Sequence, residues 1–334
     1  MTKNYPYKKI LVTGGCGFIG SSYVLNILEN YDDIQILNID LMTYATSKKT
    51  LALLSKNKNF SHLALDISNY SSIESEILNF LPNLIVNFAA ESHVDNSING
   101  AMPFINSNIL GVFNLLEISK NLAAQNNEIF LFHQISTDEV YGDLEINDPA
   151  FTEDHPYNPS SPYSATKSSA DMLVSAWGRT YGIPYLITNC SNNFGPRQHF
   201  EKLIPKVIFN AINNIDIPIY GNGLNIRDWI YVDDHTQAII ELHNKNFDSD
   251  RFNIGGNNEL SNIELVNAII EILKSKYNLN PKINFVEDRK GHDKRYAINM
   301  KKTHDFIGEL PKNSFQINLE QTISWYIENS KWWD

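Results

Sequence analysis

Two short strings hold the residues best suited to chemistry. Ser136-Thr137-Asp138-Glu139-Val140-Tyr141-Gly142 follows an apolar run with a hydroxyl and two adjacent carboxylates. Tyr163-Ser-Ala-Thr-Lys167 sets a phenol and an ammonium at a spacing that puts both on one helical face. A nearby ammonium lowers a phenol's pKa, so the tyrosinate can act as a base toward an alcohol. Spacing alone selects nothing, because Tyr5 with Lys9 and Tyr44 with Lys48 satisfy it too. Only Tyr163 follows a proline at a helix start within the second half of a strand–helix array. A simple alcohol dehydrogenase needs a hydroxyl at the strand end but no carboxylates. Asp138 and Glu139 side by side point to separate acid and base tasks, provided their environments split their pKa values. The bland alternative is a solvated acidic turn.

A third string, Thr13-Gly14-Gly-Cys-Gly17-Phe-Ile-Gly20, follows the first strand and opens the first helix. Gly14, Gly17 and Gly20 would permit a tight turn, close approach of a pyrophosphate, and close helix–sheet packing. The helix N-terminus behind them offers amides and partial positive charge to phosphates. A glycine-rich turn without ligand is the other reading. Asp40, 20 residues after Gly20, stands where a carboxylate accepts from a ribose diol and repels a 2′-phosphate, which favours NAD over NADP. Asp66, in the pair Asp66-Ile67, closes the third strand and reads as an adenine contact, a helix cap, or both.

The elements that must position these groups alternate. Lys9–Thr13, Ile34–Ile39, Phe60–Leu65, Leu84–Phe88 and Glu128–Ile135 read as strands. Phe18–Glu29, Ser47–Ser55, Tyr70–Phe80 and Pro103–Ala124 carry apolar residues at helical spacing. This rhythm predicts an α/β fold, a Rossmann-type doubly wound parallel sheet covered on both faces. Beyond about residue 190 it loosens. Helical patterns at Asp233–Lys245, Ser261–Tyr277 and Leu319–Asn329 alternate with strand-like Ile217–Tyr220, Phe252–Ile254 and Lys282–Val286. We expect an NAD-binding domain over 1–190. Residues 191–334 would form a smaller mixed α/β lobe that binds substrate, with segments interleaved with the first domain.

Composition bounds the partners. The 334 residues carry a net charge of −11, which argues against nucleic acid or anionic membrane as a main partner. No apolar run approaches the roughly 20 residues of a membrane span. The opening residues lack a signal-peptide core, and two cysteines are too few for a disulfide scaffold. We expect a cytoplasmic, reduced protein. The nine histidines include no ligand-spaced cluster, so no metal is expected.

These strings together resemble the dTDP-glucose 4,6-dehydratases, within the extended short-chain dehydrogenase/reductase superfamily, along essentially the whole chain. Besides those quoted, the matching stretches include Ala89-Ala-Glu-Ser-His-Val-Asp95, Asn189-Cys-Ser-Asn-Asn-Phe-Gly-Pro196, Glu201-Lys-Leu-Ile-Pro205, Arg227-Asp-Trp-Ile-Tyr-Val232 and Asp288-Arg-Lys-Gly-His-Asp293. The Thr-Asp-Glu and Glu-Lys-Leu-Ile-Pro strings are specific to that family, whereas the glycine pattern and Tyr-x-x-x-Lys belong to the whole superfamily. The resemblance implies a redox-neutral elimination on a nucleotide sugar with tightly bound NAD. Tyr163 would take the C4 hydroxyl proton while hydride moves to NAD, aided by Lys167, with Thr137 bonded to the C4 oxygen. Glu139 would then remove the C5 proton and Asp138 would protonate the departing C6 hydroxyl, before hydride returns to C6.

The resemblance also assigns cofactor contacts to Phe18, Ile19, Ala89, Ala90, Glu91, Ser92, Ser107 and Asn193, and substrate contacts to Ser92, Asn192, Lys202, Leu203, Pro218, Tyr220, Arg227, Asn262 and the loop Asp288, Arg289, His292. Lys202 and Arg227 are natural diphosphate partners; the bland reading makes each a surface cation. A homodimer through Pro103–Ala124 and Ser164–Tyr181 is implied as well. Three positions depart from the family pattern: Cys16 for alanine, Thr46 for a glycine in the loop after Asp40, and Lys290 for a proline near the nucleoside.

The main rival is an NDP-sugar 4-epimerase, which returns hydride to C4 and has no use for an acid/base pair at C5 and C6. A nucleotide-binding sensor would not require Thr137, Asp138, Glu139, Tyr163 and Lys167 together. Thymidine and uridine differ by one methyl, worth about 1–3 kcal/mol in an apolar pocket, so UDP-glucose stays open beside dTDP-glucose.

Overall fold

Short apolar runs become strands, and those at the centre of the main sheet are buried along nearly their whole length. They are β1 (Lys9–Thr13), β2 (Gln35–Ile39), β3 (Phe60–Leu63), β4 (Leu84–Asn87), β5 (Leu131–Thr137) and β6 (Tyr185–Cys190). Later come β7 (Asn192–Phe194), β8 (Ile217–Tyr220), β9 (Ile226–Tyr231), β10 (Asp250–Ile254), β11 (Glu259–Ser261) and β12 (Ile283–Val286). The structure, a computed structural model, describes residues 4–125, 130–245, 248–288, 291–310 and 312–332.

Seven strands make one parallel sheet in the order β10-β6-β5-β4-β1-β2-β3. Strand order reverses between β1 and β4, and at such a switch point a crevice opens beyond the strands' carboxyl ends. Helices cover both faces. Phe18–Asn30 and Val232–His243 pack together on one side, where Tyr23, Ile27 and Ile239 are fully buried. Tyr70–Phe80, Val112–Gln125 and Pro162–Tyr181 cover the other over Ile77, Leu115 and Val174. A third core joins Leu203–Ile212, Asn262–Tyr277 and Phe315–Glu328 to the small sheets β11-β9-β7 and β12-β8.

Several boundaries differ from those the sequence predicts. Asp250–Ile254 is the seventh strand of the large sheet, so the chain returns to it after β9. The third strand ends at Leu63, because the amide of Leu65 turns back onto the Leu63 carbonyl; Asp66 lies past that turn. The last helix begins at Phe315, four residues early, under a Ser314 cap. The helix expected over Pro103–Ala124 starts at Met102 and winds through a π-helical stretch, Ile105–Gly111. Glu128 and Ile129, expected to open the fifth strand, lie outside the described residues.

Candidate active site

One cleft of about 940 Å³ lies over the carboxyl ends of β1, β4, β5 and β6, with the C-terminal lobe as its far wall. It is lined by every candidate residue named above except two. Asp288 stands behind His292, whose Nδ1 lies 2.7 Å from its Oδ1. Arg289, like Lys290, lies outside the described residues.

At the β1 end space requires two of the glycines, Gly14 and Gly20. Gly14 has φ +70°, and a Cβ there would sit 2.7 Å from the Ala89 amide nitrogen. A Cβ on Gly20 would come within 2.4 Å of the Gly14 carbonyl oxygen. The helix Phe18–Asn30 opens with no side-chain cap and no acidic residue in its first turn, which leaves its first amides available to an anion. Asp40 is fixed by two amides, Cys16 to Oδ2 and Met42 to Oδ1, both at 2.9 Å. Burial pushes its carboxyl up while those two bonds draw it down. Cys16 fits in place of a smaller residue, 2% exposed with Asn38 Nδ2 on its sulfur at 3.3 Å. Thr46 closes its own turn by donating from Oγ1 to the Thr43 carbonyl at 2.7 Å, and the positive φ in this loop falls on Met42. Asp66 caps no helix: its Oδ1 accepts from the Ser68 amide at 2.8 Å, and the next helix has Asn69 at its N-cap position, without a side-chain cap bond. It lines the cleft beside Ile67.

At the β5 end the chain tightens into a single turn, Asp138–Tyr141, capped by the Thr137 hydroxyl on the Glu139 amide. Ser161 and Ser164 form a reciprocal cap on the helix Pro162–Tyr181, which starts it one residue before Tyr163. Tyr163 is buried, its amide bonded to Ser97 Oγ at 3.2 Å and its ring edge-on to Phe104 at 6.4 Å. Lys167 is buried and donates from Nζ to the Ile135 carbonyl at 2.7 Å. The phenol of Tyr163 lies well above its ordinary range, through burial first and then the Glu139 charge, with a hydrogen bond involving Thr137 pulling back. The expected lowering by Lys167 is not seen here: burial and the acidic neighbours raise the phenol, and the ammonium is bonded to the Ile135 carbonyl.

Asp138 and Glu139 differ in the way separate tasks require. Asp138 is 2% exposed, and its Oδ2 is buried without a hydrogen-bond partner. Burial, then the charges of Glu139 and Asp228, push its carboxyl well above the usual range, so it is the neutral acid of the two. Glu139 is half-buried at the cleft.

On the lobe side, Lys202 donates to the Ser92 carbonyl at 2.9 Å. Arg227 is no surface cation: it is 7% exposed, donates to the carbonyls of Ile226 and Asp293 at 2.7 and 3.0 Å, and lies 4.2 Å over the Tyr296 ring. Pro218 and Tyr220 come from β8, Leu203 and Asn262 from helix starts, and Asn192 and Asn193 from β7.

Sequence reasoning missed Asn108. It sits in the π-helical stretch, buried, and pairs with both backbone groups of Glu91: Oδ1 accepts from the amide at 2.9 Å and Nδ2 donates to the carbonyl at 3.0 Å. It thereby fixes the loop after β4. A short π insertion at a site is a recurring device, yet residue types give no sign of it. Asp171, one turn beyond Lys167, was also missed, although an acidic residue on the buried face of a helix is a legible signal.

Comparison with known proteins agrees with this geometry. The family model described as GDP-mannose 4,6 dehydratase matches residues 11–322. A dTDP-glucose 4,6-dehydratase of Neisseria meningitidis is 44% identical, over 98% of this chain and 95% of its own length. The crystal structure of a dTDP-glucose 4,6-dehydratase from Streptomyces venezuelae, with NAD bound, superposes with TM-score 0.90 at 37% identity, covering 98% and 99% of the two chains. The UDP-glucose 4-epimerase of Thermotoga maritima, solved with UDP-glucose, shares the fold at TM-score 0.86 and 26% identity over 96% and 99%.

Proposed function

The chain belongs to the dTDP-glucose 4,6-dehydratase family, and we propose that its cleft converts dTDP-glucose to dTDP-4-keto-6-deoxyglucose as an NAD-dependent hydro-lyase. The observation that carries this reading is the unlike pair at the end of β5. A buried Asp138 whose surroundings favour its protonated form, beside a half-buried Glu139, is what an elimination across C5 and C6 needs and an epimerisation at C4 does not.

NAD fits the residues present. Gly14, Gly17 and Gly20 leave the room a pyrophosphate needs, the uncapped helix start behind them supplies amides, and Asp40 is held rigidly for a ribose diol. Phe18, Ile19, Asp66, Ile67, Ala89 to Ser92, Ser107 and Asn193 complete its walls. Bound there, NAD supplies the reversible oxidation that makes the C5 proton acidic. The rest falls to this chain's side chains. Tyr163 would accept the C4 hydroxyl proton as tyrosinate, its raised phenol drawn down by the cationic nicotinamide that NAD would bring to the cleft and by the Lys167 ammonium, and Thr137 would steady the C4 oxygen. Glu139 removes the C5 proton; Asp138 gives its proton to the C6 oxygen as water leaves. Lys202 and Arg227 hold the diphosphate, with Tyr220, Asn262 and His292 toward the nucleoside.

In this reading residues 1–190 form the NAD domain, and 191–334 mainly hold the nucleotide sugar. Strand β10 and the helix Val232–His243 are contributed back to the first. Two chains pair through the helices Val112–Gln125 and Pro162–Tyr181, whose neighbourhood leaves Met102 at 65%, Leu110 at 41%, Phe113 at 38% and Met172 at 59% exposed. Apolar helix faces left over after sheet packing suit an isologous interface. The protein works in the cytoplasm, in keeping with two free buried thiols. Its 4-keto-6-deoxy product feeds deoxysugar synthesis of the rhamnose type. Assaying dTDP-, UDP-, CDP- and GDP-glucose side by side tests the reading: dTDP-glucose should be dehydrated fastest, and turnover of none of them sinks it.

A further inference from the structure

The cleft's chemistry leaves one fully buried carboxylate without a task. Asp171 lies one helical turn beyond Lys167 on the same face of the helix Pro162–Tyr181. Its Oδ2 accepts from Ser136 Oγ at 2.7 Å, from the Tyr157 hydroxyl at 2.8 Å and from Asn189 Nδ2 at 3.4 Å. The same Asn189 Nδ2 donates to the Thr137 carbonyl at 3.0 Å. Its other oxygen, Oδ1, is buried with no hydrogen-bond partner. A buried carboxylate is costly unless charge and hydrogen bonds compensate it. Here the donors come from β5, β6 and the segment after β5; Ser136 lies in the stretch that presents Thr137, Asp138 and Glu139, and Asn189 is bonded to it at the Thr137 carbonyl.

We propose that Asp171 is a positioning residue that keeps Lys167 in its ammonium form and, through Ser136 and Asn189, fixes the end of β5. The inference rests on the dehydratase reading and deepens it. Burial draws the Lys167 amine down, and the Asp171 charge is the first influence that pulls it back up. The other titratable groups facing the pair do not replace that charge. Cys190, on β6, is itself pushed up to about 12 and stays a neutral thiol. Tyr141 and Tyr157, after β5, are buried phenols held above their ordinary range. Arg251, on β10, is a cation 4.5 Å over the Tyr157 ring. Asp171 is the carboxyl of the set: burial pushes it up, and the Ser136 and Tyr157 hydroxyls with the Lys167 and Arg251 charges draw it back toward its anion.

The test is the pH profile of kcat for Asp171→Asn and Tyr157→Phe, with bound nucleotide measured on each purified protein. Asp171→Asn should move the alkaline limb down by about one pH unit, since Lys167 loses its proton sooner. KM for dTDP-glucose and nucleotide content should stay as in the wild type. Tyr157→Phe removes one donor from the carboxylate and should move the limb the same way by less. If Asp171→Asn does not fold, the Tyr157→Phe limb decides alone. Profiles that only scale down from the wild type, or activity lost because nucleotide is lost, would overturn the proposal. A wild type that fails to dehydrate dTDP-glucose would overturn the functional reading instead.

Discussion

The Lys167 ammonium donates to the backbone carbonyl of Ile135 at 2.7 Å, pinning the helix that carries Tyr163 to the strand that ends in Thr137, Asp138 and Glu139. Two segments of the cleft wall far apart in sequence thereby share one register. Lys167 fastens helix to strand as well as carrying a charge into the cleft, which is why a substitution there should cost more than charge. Lys167→Met should lower kcat by about 10²-fold or more. It should also reduce stability by about 1–3 kcal/mol, because the Ile135 carbonyl loses a charged donor. Unchanged urea denaturation midpoints would contradict the fastening role.

The glycine loop makes a sharp expectation about the cofactor. Gly14→Ala puts a methyl group 2.7 Å from the Ala89 nitrogen at φ +70°. Strain of this kind costs about 1–3 kcal/mol, and it falls where the pyrophosphate must approach. The wild type should purify with NAD bound and turn over without added cofactor, whereas Gly14→Ala should purify largely empty and depend on added NAD. Equal nucleotide content in both proteins would show that the loop does not hold it.

The three reacting side chains should fail differently. Tyr163→Phe should stop the reaction before any reduced cofactor forms. Glu139→Gln should show reduced-cofactor absorbance on mixing with dTDP-glucose, but no exchange of the C5 proton. Asp138→Asn should show both signals with little product. Each loss should be about 10²–10⁴-fold in kcat. Identical single-turnover traces for all three variants would remove the division of labour between the carboxylates.

Pairing through the two exposed helices is tested by charge. Phe113→Asp together with Met172→Asp should convert a particle of twice 38.1 kDa into one of 38.1 kDa by light scattering. A wild type already at the single-chain mass would contradict the dimer.

Acid should unfold the protein through its buried histidines. His243 shares hydrogen bonds with Tyr5 and His133 at 2.5 and 2.8 Å, and burial holds it down to about 3. In the unfolded chain it titrates near 6.5. Its contribution is therefore complete above about pH 6.5 and is lost as pH falls toward about 3, at about 1.4 kcal/mol per pH unit. His243→Asn should be less stable at neutral pH but flatter between pH 6 and about 4 in urea titrations. An unchanged slope would mean that another group controls acid unfolding.

Local signals made much of this legible. The alternation of buried runs and amphipathic stretches led to the parallel sheet, and Gly14 to Gly20, Thr137 to Glu139, and Tyr163 with Lys167 all reach one cleft. What stayed hidden depends on non-local pairing or backbone detail. Asp250–Ile254 looks like any short strand, and only its register against Leu186–Cys190 makes it part of the large sheet. Asn108 owes its hold on Glu91 to a π-helical stretch that no residue pattern announces. The unlike environments of Asp138 and Glu139 arise from what packs over them, Asp228 included, which residue order does not reveal.

One measurement bears on the central claim most directly: NMR of the product formed from dTDP-glucose in deuterated water by the wild-type protein. The account requires dTDP-4-keto-6-deoxyglucose carrying solvent deuterium at C5, since Glu139 removes that proton and a solvent-derived one returns. The C4 epimer of the substrate as product, or a 6-deoxy product that keeps its original C5 proton, would contradict it.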